Sequence, residues 1–188
     1  MFEVRQKPRV LDFVSLDGLC RLTGCIKEEF LKFAVKELLD NALDKQDTRN
    51  IDITINRASD ALTICVVDDG KYTFSREDIK KILNFEQAPS SKRAIKGVKR
   101  GVLGNALQCC LGISYALWQN DERPDWTAEI LGEALWRIGL NVQNGTIKPN
   151  IAEYPREMWK FARQHLDDTC KNPHFKPVSY THLRAHET

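Results

Sequence analysis

Ile51-Asp52-Ile53-Thr54-Ile55-Asn56 places an apolar side chain at every second position, and Leu62-Thr63-Ile64-Cys65-Val66-Val67 resumes the pattern after Arg57-Ala58-Ser59-Asp60. A period of two belongs to a strand with one buried face, and two such runs across a short polar break predict an antiparallel hairpin. Just before them the period changes. At about 100° per residue, Leu31, Ala34, Val35, Leu38 and Ala42 fall into one stripe, which predicts an amphipathic helix over 27–45. Glu28 and Glu29 suit its first turn, and the polar run 46–50 closes it. A brief helix is expected at 15–22, ended by Thr23-Gly24, and another from the cap Ser75-Arg76-Glu77-Asp78 through about Phe85. Further strands are expected at 127–133 and 134–142, then a tight turn at Asn144-Gly145. A last helix should open at Pro155 and bury Trp159, Phe161, Ala162 and Leu166, the tryptophans reading as core or seam residues.

Polar positions carry the candidate chemistry. Glu37, Asn41 and Asp44 stand at i, i+4 and i+7, so they share a helix face about a quarter turn from the apolar stripe, at the edge of the core. A carboxylate there can orient and deprotonate a water, and an amide oxygen one turn on can complete the oxygen shell of Mg²⁺ beside phosphates. Solvated helix faces show the same spacing, so the triple gains meaning only from its neighbours. Asp68-Asp69-Gly70 sets a carboxylate at a strand end beside a glycine, an arrangement that also serves as ordinary turn punctuation. The stretch 86–98 has no hydrophobic period and contains Pro89, Ser90, Ser91, Lys92, Arg93, Lys96 and Gly97, as long lids and binding loops do. Gly101-Val102-Leu103-Gly104-Asn105-Ala106-Leu107 follows at the mouth of a helix, where backbone N–H groups and the helix dipole attract anions. Lys92, Arg93, Lys96, Lys99 and Arg100 lie just before it and read either as a solvated loop or as a phosphate cradle.

Composition narrows the class without naming the chemistry. With 188 residues, 42% hydrophobic and 29% charged, the chain has the balance of one globular domain, and a net charge of +2 does not by itself argue for nucleic acid. Six cysteines show no CxxC pair and no zinc spacing with histidine, and read as buried free thiols. No apolar run approaches the roughly 18 residues of a membrane span, and the first residues lack a signal peptide's apolar stretch, so a cytoplasmic protein without membrane contact is expected. Residues 178–188 resemble the conceptual translation of a transposase-type sequencing-library adapter and are set apart from fold reasoning. The expected unit is therefore 1–177, with the natural sequence continuing past Pro177.

Taken in order, Glu37/Asn41/Asp44, Asp68-x-Gly70, Ser90-Ser91-Lys92 and Gly101-x-x-Gly104-Asn105-Ala106-Leu107 resemble the motif set of the GHKL ATPases, over about residues 26–112. The resemblance implies Glu37 as general base, Asn41 as Mg²⁺ ligand, Asp68 as reader of the adenine amine and Gly70 beneath the base. It implies Asp44, Ser91, Lys92 and Arg100 at the nucleotide, with Gly101, Val102, Leu103, Gly104 and Asn105 forming the phosphate-binding lid hinge. Glu-Leu-Leu-Asp-Asn-Ala-Leu-Asp, Ser-Ser-Lys and Asn172-Pro173-His174 look most like topoisomerase VI B and MutL. The fold implied is α+β, the two-layer Bergerat sandwich, with a mixed, largely antiparallel sheet covered on one face by helices.

Two departures stand out. Tyr72 replaces the second glycine of the Asp-x-Gly-x-Gly motif, and Asn144-Gly145-Thr146 reads equally as the family's later threonine or as a hairpin turn. The resemblance implies ATP and Mg²⁺ as ligands, hydrolysis gating a homodimer, and DNA reached through domains outside this stretch. A transducer domain supplying a γ-phosphate contact is expected downstream. Two other readings stay open: a nucleotide-gated binding module that does not hydrolyse, and a histidine-kinase catalytic domain, although no histidine precedes His165.

Overall fold

The computed structural model describes residues 10–45, 47–57, 62–86, 105–117 and 128–155, and the backbone of 179–185. Four helices are described: α1 (Leu16–Thr23), α2 (Phe30–Leu43), α3 (Arg76–Ile82) and α4 (Ala106–Ala116), with 3-10 turns at Val10–Val14 and Lys27–Glu29. Caps set two of them, that of α3 as the sequence predicts. Ser15 Oγ accepts the Gly18 N–H at the start of α1, while Ser75 and Asp78 form a reciprocal capping box at α3. The helix expected over 27–45 begins as 3-10 and is α-helical only from Phe30, which is fully buried together with Ala34, Leu38 and Ala42.

Strands β1 (Ile51–Arg57) and β2 (Leu62–Asp68) form the expected antiparallel hairpin, in register from Ile51↔Asp68 to Arg57↔Leu62. One expectation fails here. Ile53 and Ile55 are 41% and 47% exposed although they sit opposite Val66 and Ile64, which are buried in the core. β1 is an edge strand, and the helical cover over β2 stops short of it. The alternation had identified a shared face but could not say what would cover it.

β3 (Ala128–Leu131), β4 (Leu135–Gln143) and β5 (Thr146–Tyr154) form a meander. Asn144 and Gly145 take φ 52° and 75°, the left-handed pair that a two-residue hairpin requires. β5 has no counterpart in the sequence reading, because Pro149 interrupts its pattern. Pro149 pairs opposite Leu140 on an edge strand, where a missing N–H donor is tolerated.

The sheet order is β1-β2-β6-β3-β4-β5, and every described pairing is antiparallel. β6 (Ser179–Ala185) lies between β2 and β3, in the stretch that resembles an adapter. A ladder is made by backbone N–H and C=O groups, so this slot asks for an extended segment of that length. The core gathers Trp136, Phe30, Leu19, Ile130 and Ile138, each 2% exposed or less. α4 packs against α1 and α2. The approach is close: a Cβ added to Gly112 would lie 1.7 Å from the Phe13 carbonyl oxygen. Cys65, Cys109 and Cys110 are buried as expected, whereas Cys20 and Cys25 are half-buried, and none of the five is joined in a disulfide. The predicted helix from Pro155, its tryptophan and Cys170 lie outside the described residues.

Candidate functional site

Glu37 is the residue that makes α2 more than an amphipathic helix, because its carboxylate is buried while Asn41 and Asp44 further along remain half-buried. Lys36 Nζ donates to Glu37 Oε1 and to Asp40 Oδ2, both at 2.8 Å. Those bonds, Asp40's first and Glu37's second, raise the Lys36 pKa. The ammonium is itself mostly exposed, so its hold on Glu37 is a screened one. On the other side lies α4. Burial pushes the Cys109 thiol up to about 12, and the negative charge of Glu37 on the neighbouring helix adds to the effect.

Asn41 Nδ2 donates to the Glu37 backbone carbonyl at 2.8 Å. A carbonyl can only accept, so the bond identifies Nδ2 as the end of the amide held against α2 and leaves Oδ1 as its acceptor end. Asp44 caps the C-terminus of α2, its N–H bonded to Asp40 O at 2.9 Å.

Asp68 is 4% exposed at the end of β2. Both of its oxygens accept from Lys45 Nζ at 2.7 Å, and Oδ1 also accepts the Gly70 N–H at 3.0 Å. Burial lowers the Lys45 pKa, opposed by its bond to Asp68. Gly70 does not have positive φ, unlike Gly24 and Gly145. Its lack of a side chain serves space: a Cβ would meet Lys45 Cδ and Thr48 Oγ1 at 2.7 Å and Asp68 Oδ1 at 2.9 Å.

Asp69, one residue on, does different work. Its Oδ1 accepts the Arg49 and Asn50 N–H groups at 2.8 and 3.0 Å, and its Oδ2 accepts Asn50 Nδ2 at 2.7 Å. Bonds from the Asn50 and then the Arg49 backbone hold its carboxyl down to about 2. Such a depressed group stabilises the fold above the ordinary carboxylate range, and that contribution is lost as pH falls toward about 2. Asp69→Asn is therefore expected to lower the midpoint of thermal unfolding at neutral pH while leaving affinity for an ATP analogue unchanged. Paired calorimetric titrations with Asp68→Asn check this: equal affinity losses at the two positions remove Asp68 from the adenine role.

The Tyr72 substitution proves locally inexpensive, because Tyr72 does not take positive φ either. Its hydroxyl donates to Asp78 Oδ2 at 2.7 Å, joining the cap of α3. Thr146 opens β5 as an exposed residue, so Asn144-Gly145-Thr146 is the hairpin turn.

Asn105 occupies the N-cap of α4, where its carbonyl accepts the Cys109 N–H at 2.9 Å and its side chain makes no capping bond. Gln108, fully buried, ties α4 to the end of α3 by donating from Nε2 to Asn84 O at 2.7 Å. The expected lid and hinge residues Ser91, Lys92, Arg100, Gly101, Val102, Leu103 and Gly104 lie outside the described residues. The structure thus brings Glu37 and Asn41 to one stretch of α2 against α4, and ties the polypeptide just after α2 to Asp68 and Gly70 through Lys45. Sequence reasoning missed Lys45, along with Thr48 and the structural part played by Asp69. The only signal for Lys45 was a cation directly after the polar triple.

Among the described residues, no helix is long and apolar enough to cross a membrane, and no three His, Cys, Asp or Glu side chains gather as a metal cage. Residues 26–112 match the family model described as Histidine kinase-, DNA gyrase B-, and HSP90-like ATPase, which supports a GHKL-type ATPase module in this stretch. No curated protein matches the chain.

Proposed function

We propose that this chain binds ATP with Mg²⁺ and hydrolyses it, and that hydrolysis gates dimerisation in a DNA-manipulating protein of the topoisomerase VI B or MutL kind. The observation that carries the reading is the buried Glu37 on α2, the helix packed against α4, with the Asn41 amide held by its bond to the Glu37 carbonyl one helical turn on. A histidine kinase has no need of a water-activating acid there, and a non-hydrolysing module has none either.

Asp68 and Gly70 would take the adenine, the carboxylate accepting its exocyclic amine and the ring lying against the glycine in the space that the Lys45 stem now fills. Mg²⁺ prefers one or two protein oxygens plus phosphate oxygens and water. The Asn41 Oδ1 fits that demand, and the ion, when bound, would neutralise charge on the phosphates. Glu37 orients the attacking water and takes its proton on a carboxylate oxygen. Backbone N–H groups at the start of α4, beyond Asn105, would stabilise negative charge on the phosphates. Ser91, Lys92, Arg100 and the 101–104 hinge complete the phosphate side in this proposal.

Titration calorimetry with a non-hydrolysable ATP analogue and Mg²⁺ tests the reading. The unaltered protein is expected to bind, and Asp68→Asn to lose about 1.5 kcal/mol or more, the scale of a hydrogen bond to a charged group. A folded protein with no measurable binding would overturn it.

A further inference from the structure

Lys45 covers both halves of the subsite just assigned to adenine. Its Nζ sits 2.7 Å from each oxygen of Asp68, which places the ammonium on the outward bisector of the carboxylate, the direction from which any end-on donor must approach. Its aliphatic stem lies against Gly70, so close that a Cβ there would meet Lys45 Cδ at 2.7 Å. The side chain is only 8% exposed and that of Asp68 only 6%, so this is a built contact and not a surface pairing. Lys45 is set there by its neighbours: α2 ends at Leu43, Thr48 Oγ1 bonds back to Ala42 O at 2.9 Å, and Asp47 Oδ2 holds the Lys71 N–H at 3.0 Å. These bonds bring Lys45 to the end of β2.

We propose that Lys45 is a built-in competitor for the adenine subsite, which must leave Asp68 and Gly70 for the purine to enter and thereby sets both nucleotide affinity and preference for the 6-amino group. This rests on the ATP reading above and names how that site is controlled. A neutral amine replacing an ammonium exchanges a charge-assisted pair for a weaker one, so the incoming base gains less from Asp68 than it would from an unpaired carboxylate. A purine lacking the amine offers Asp68 no donor, so it can leave the Lys45–Asp68 pair intact and displace only the stem lying against Gly70. Competition of this kind therefore flattens the discrimination between the two bases, and removing the competitor should sharpen it.

The test uses the full chain, Lys45→Gln and Lys45→Met, each titrated calorimetrically with a non-hydrolysable ATP analogue and with its counterpart lacking the 6-amino group. Lys45→Gln keeps a polar partner near Asp68 in case Lys45→Met fails to fold, and circular dichroism reports folding. The ATP analogue is expected to bind roughly tenfold tighter to the variants, the scale of one charge-assisted contact released, with a smaller gain for the counterpart. A second readout needs no substitution: the amine-labelling rate of Lys45 in the unaltered protein, followed by mass spectrometry, should rise when the ATP analogue is added. Unchanged or weaker affinity in the folded variants, or a labelling rate that falls with nucleotide, overturns the proposal while leaving ATP binding in place. Loss of the ATP reading looks different, since the unaltered protein would then bind neither analogue, and the competitor proposal would fall with it.

Discussion

Glu37→Ala should still bind ATP with Mg²⁺ yet turn over about 10²-fold more slowly or worse, the scale expected for removal of a general base. The carboxylate is buried on a helix packed against α4, and the neighbouring Lys36, held protonated by its bonds to Asp40 and Glu37, cannot replace it as a base. Asn41→Ala should fail differently. Its amide oxygen is the protein's proposed contribution to the cation, so the expected loss is in Mg²⁺-dependent binding, with rate falling as a consequence. Single-turnover hydrolysis beside equilibrium titration separates the two. Should Glu37→Ala hydrolyse as fast as the parent, the hydrolase reading fails and the non-hydrolysing module takes its place.

Gly112→Ala should lower the unfolding free energy by about 3 kcal/mol, the upper end of ordinary overpacking. The obstructing atom is the Phe13 carbonyl oxygen, 1.7 Å from the added methyl, and backbone cannot rotate aside as a side chain can. The better helix propensity of alanine, about 1 kcal/mol over glycine, offsets only part of the clash. Because α4 lies against both α1 and α2, relief by moving α4 also disturbs its packing against the helix that carries Glu37. For a chain of this size a 3 kcal/mol loss corresponds to roughly 6–12 °C in the unfolding midpoint, which differential scanning calorimetry measures directly. A midpoint within about 2 °C of the parent, roughly 1 kcal/mol or less, would show that Phe13 moves easily.

Local signals were legible in the sequence where the chain itself supplies the determinant. Ser15, Ser75 and Asp78 carry their own capping bonds, Asn144-Gly145 carries its own φ, and the Ile51 and Leu62 runs carry their own period. The polar triple was placed correctly at the core's edge because burial of α2 follows directly from its stripe. What stayed hidden depends on distant partners. Ile53 and Ile55 are exposed because of where the helical layer stops, and Gly112 matters because of Phe13. Lys45 closes the helix expected over 27–45, but α2 ends at Leu43, so its side chain leaves the helical path and reaches Asp68 instead. β5 was hidden by Pro149, which argues against a strand unless that strand is at an edge.

The place of β6 bears on the order in which the molecule assembles. β1 with β2, and β3 with β4 and β5, join neighbours along the chain and can form early from local contacts. Neither group is hydrogen-bonded to the other until an extended segment enters between them and satisfies two ladders at once. That step closes a long loop and gains its bonds only on arrival, which makes it slow and nearly all-or-none. Its register begins at Ser179 opposite Asp68, so the strand end bearing the acid proposed to read the purine is clamped by the same event that unites the sheet. Competence to hold a nucleotide should accordingly emerge late and abruptly during refolding, well after most helical structure has been regained.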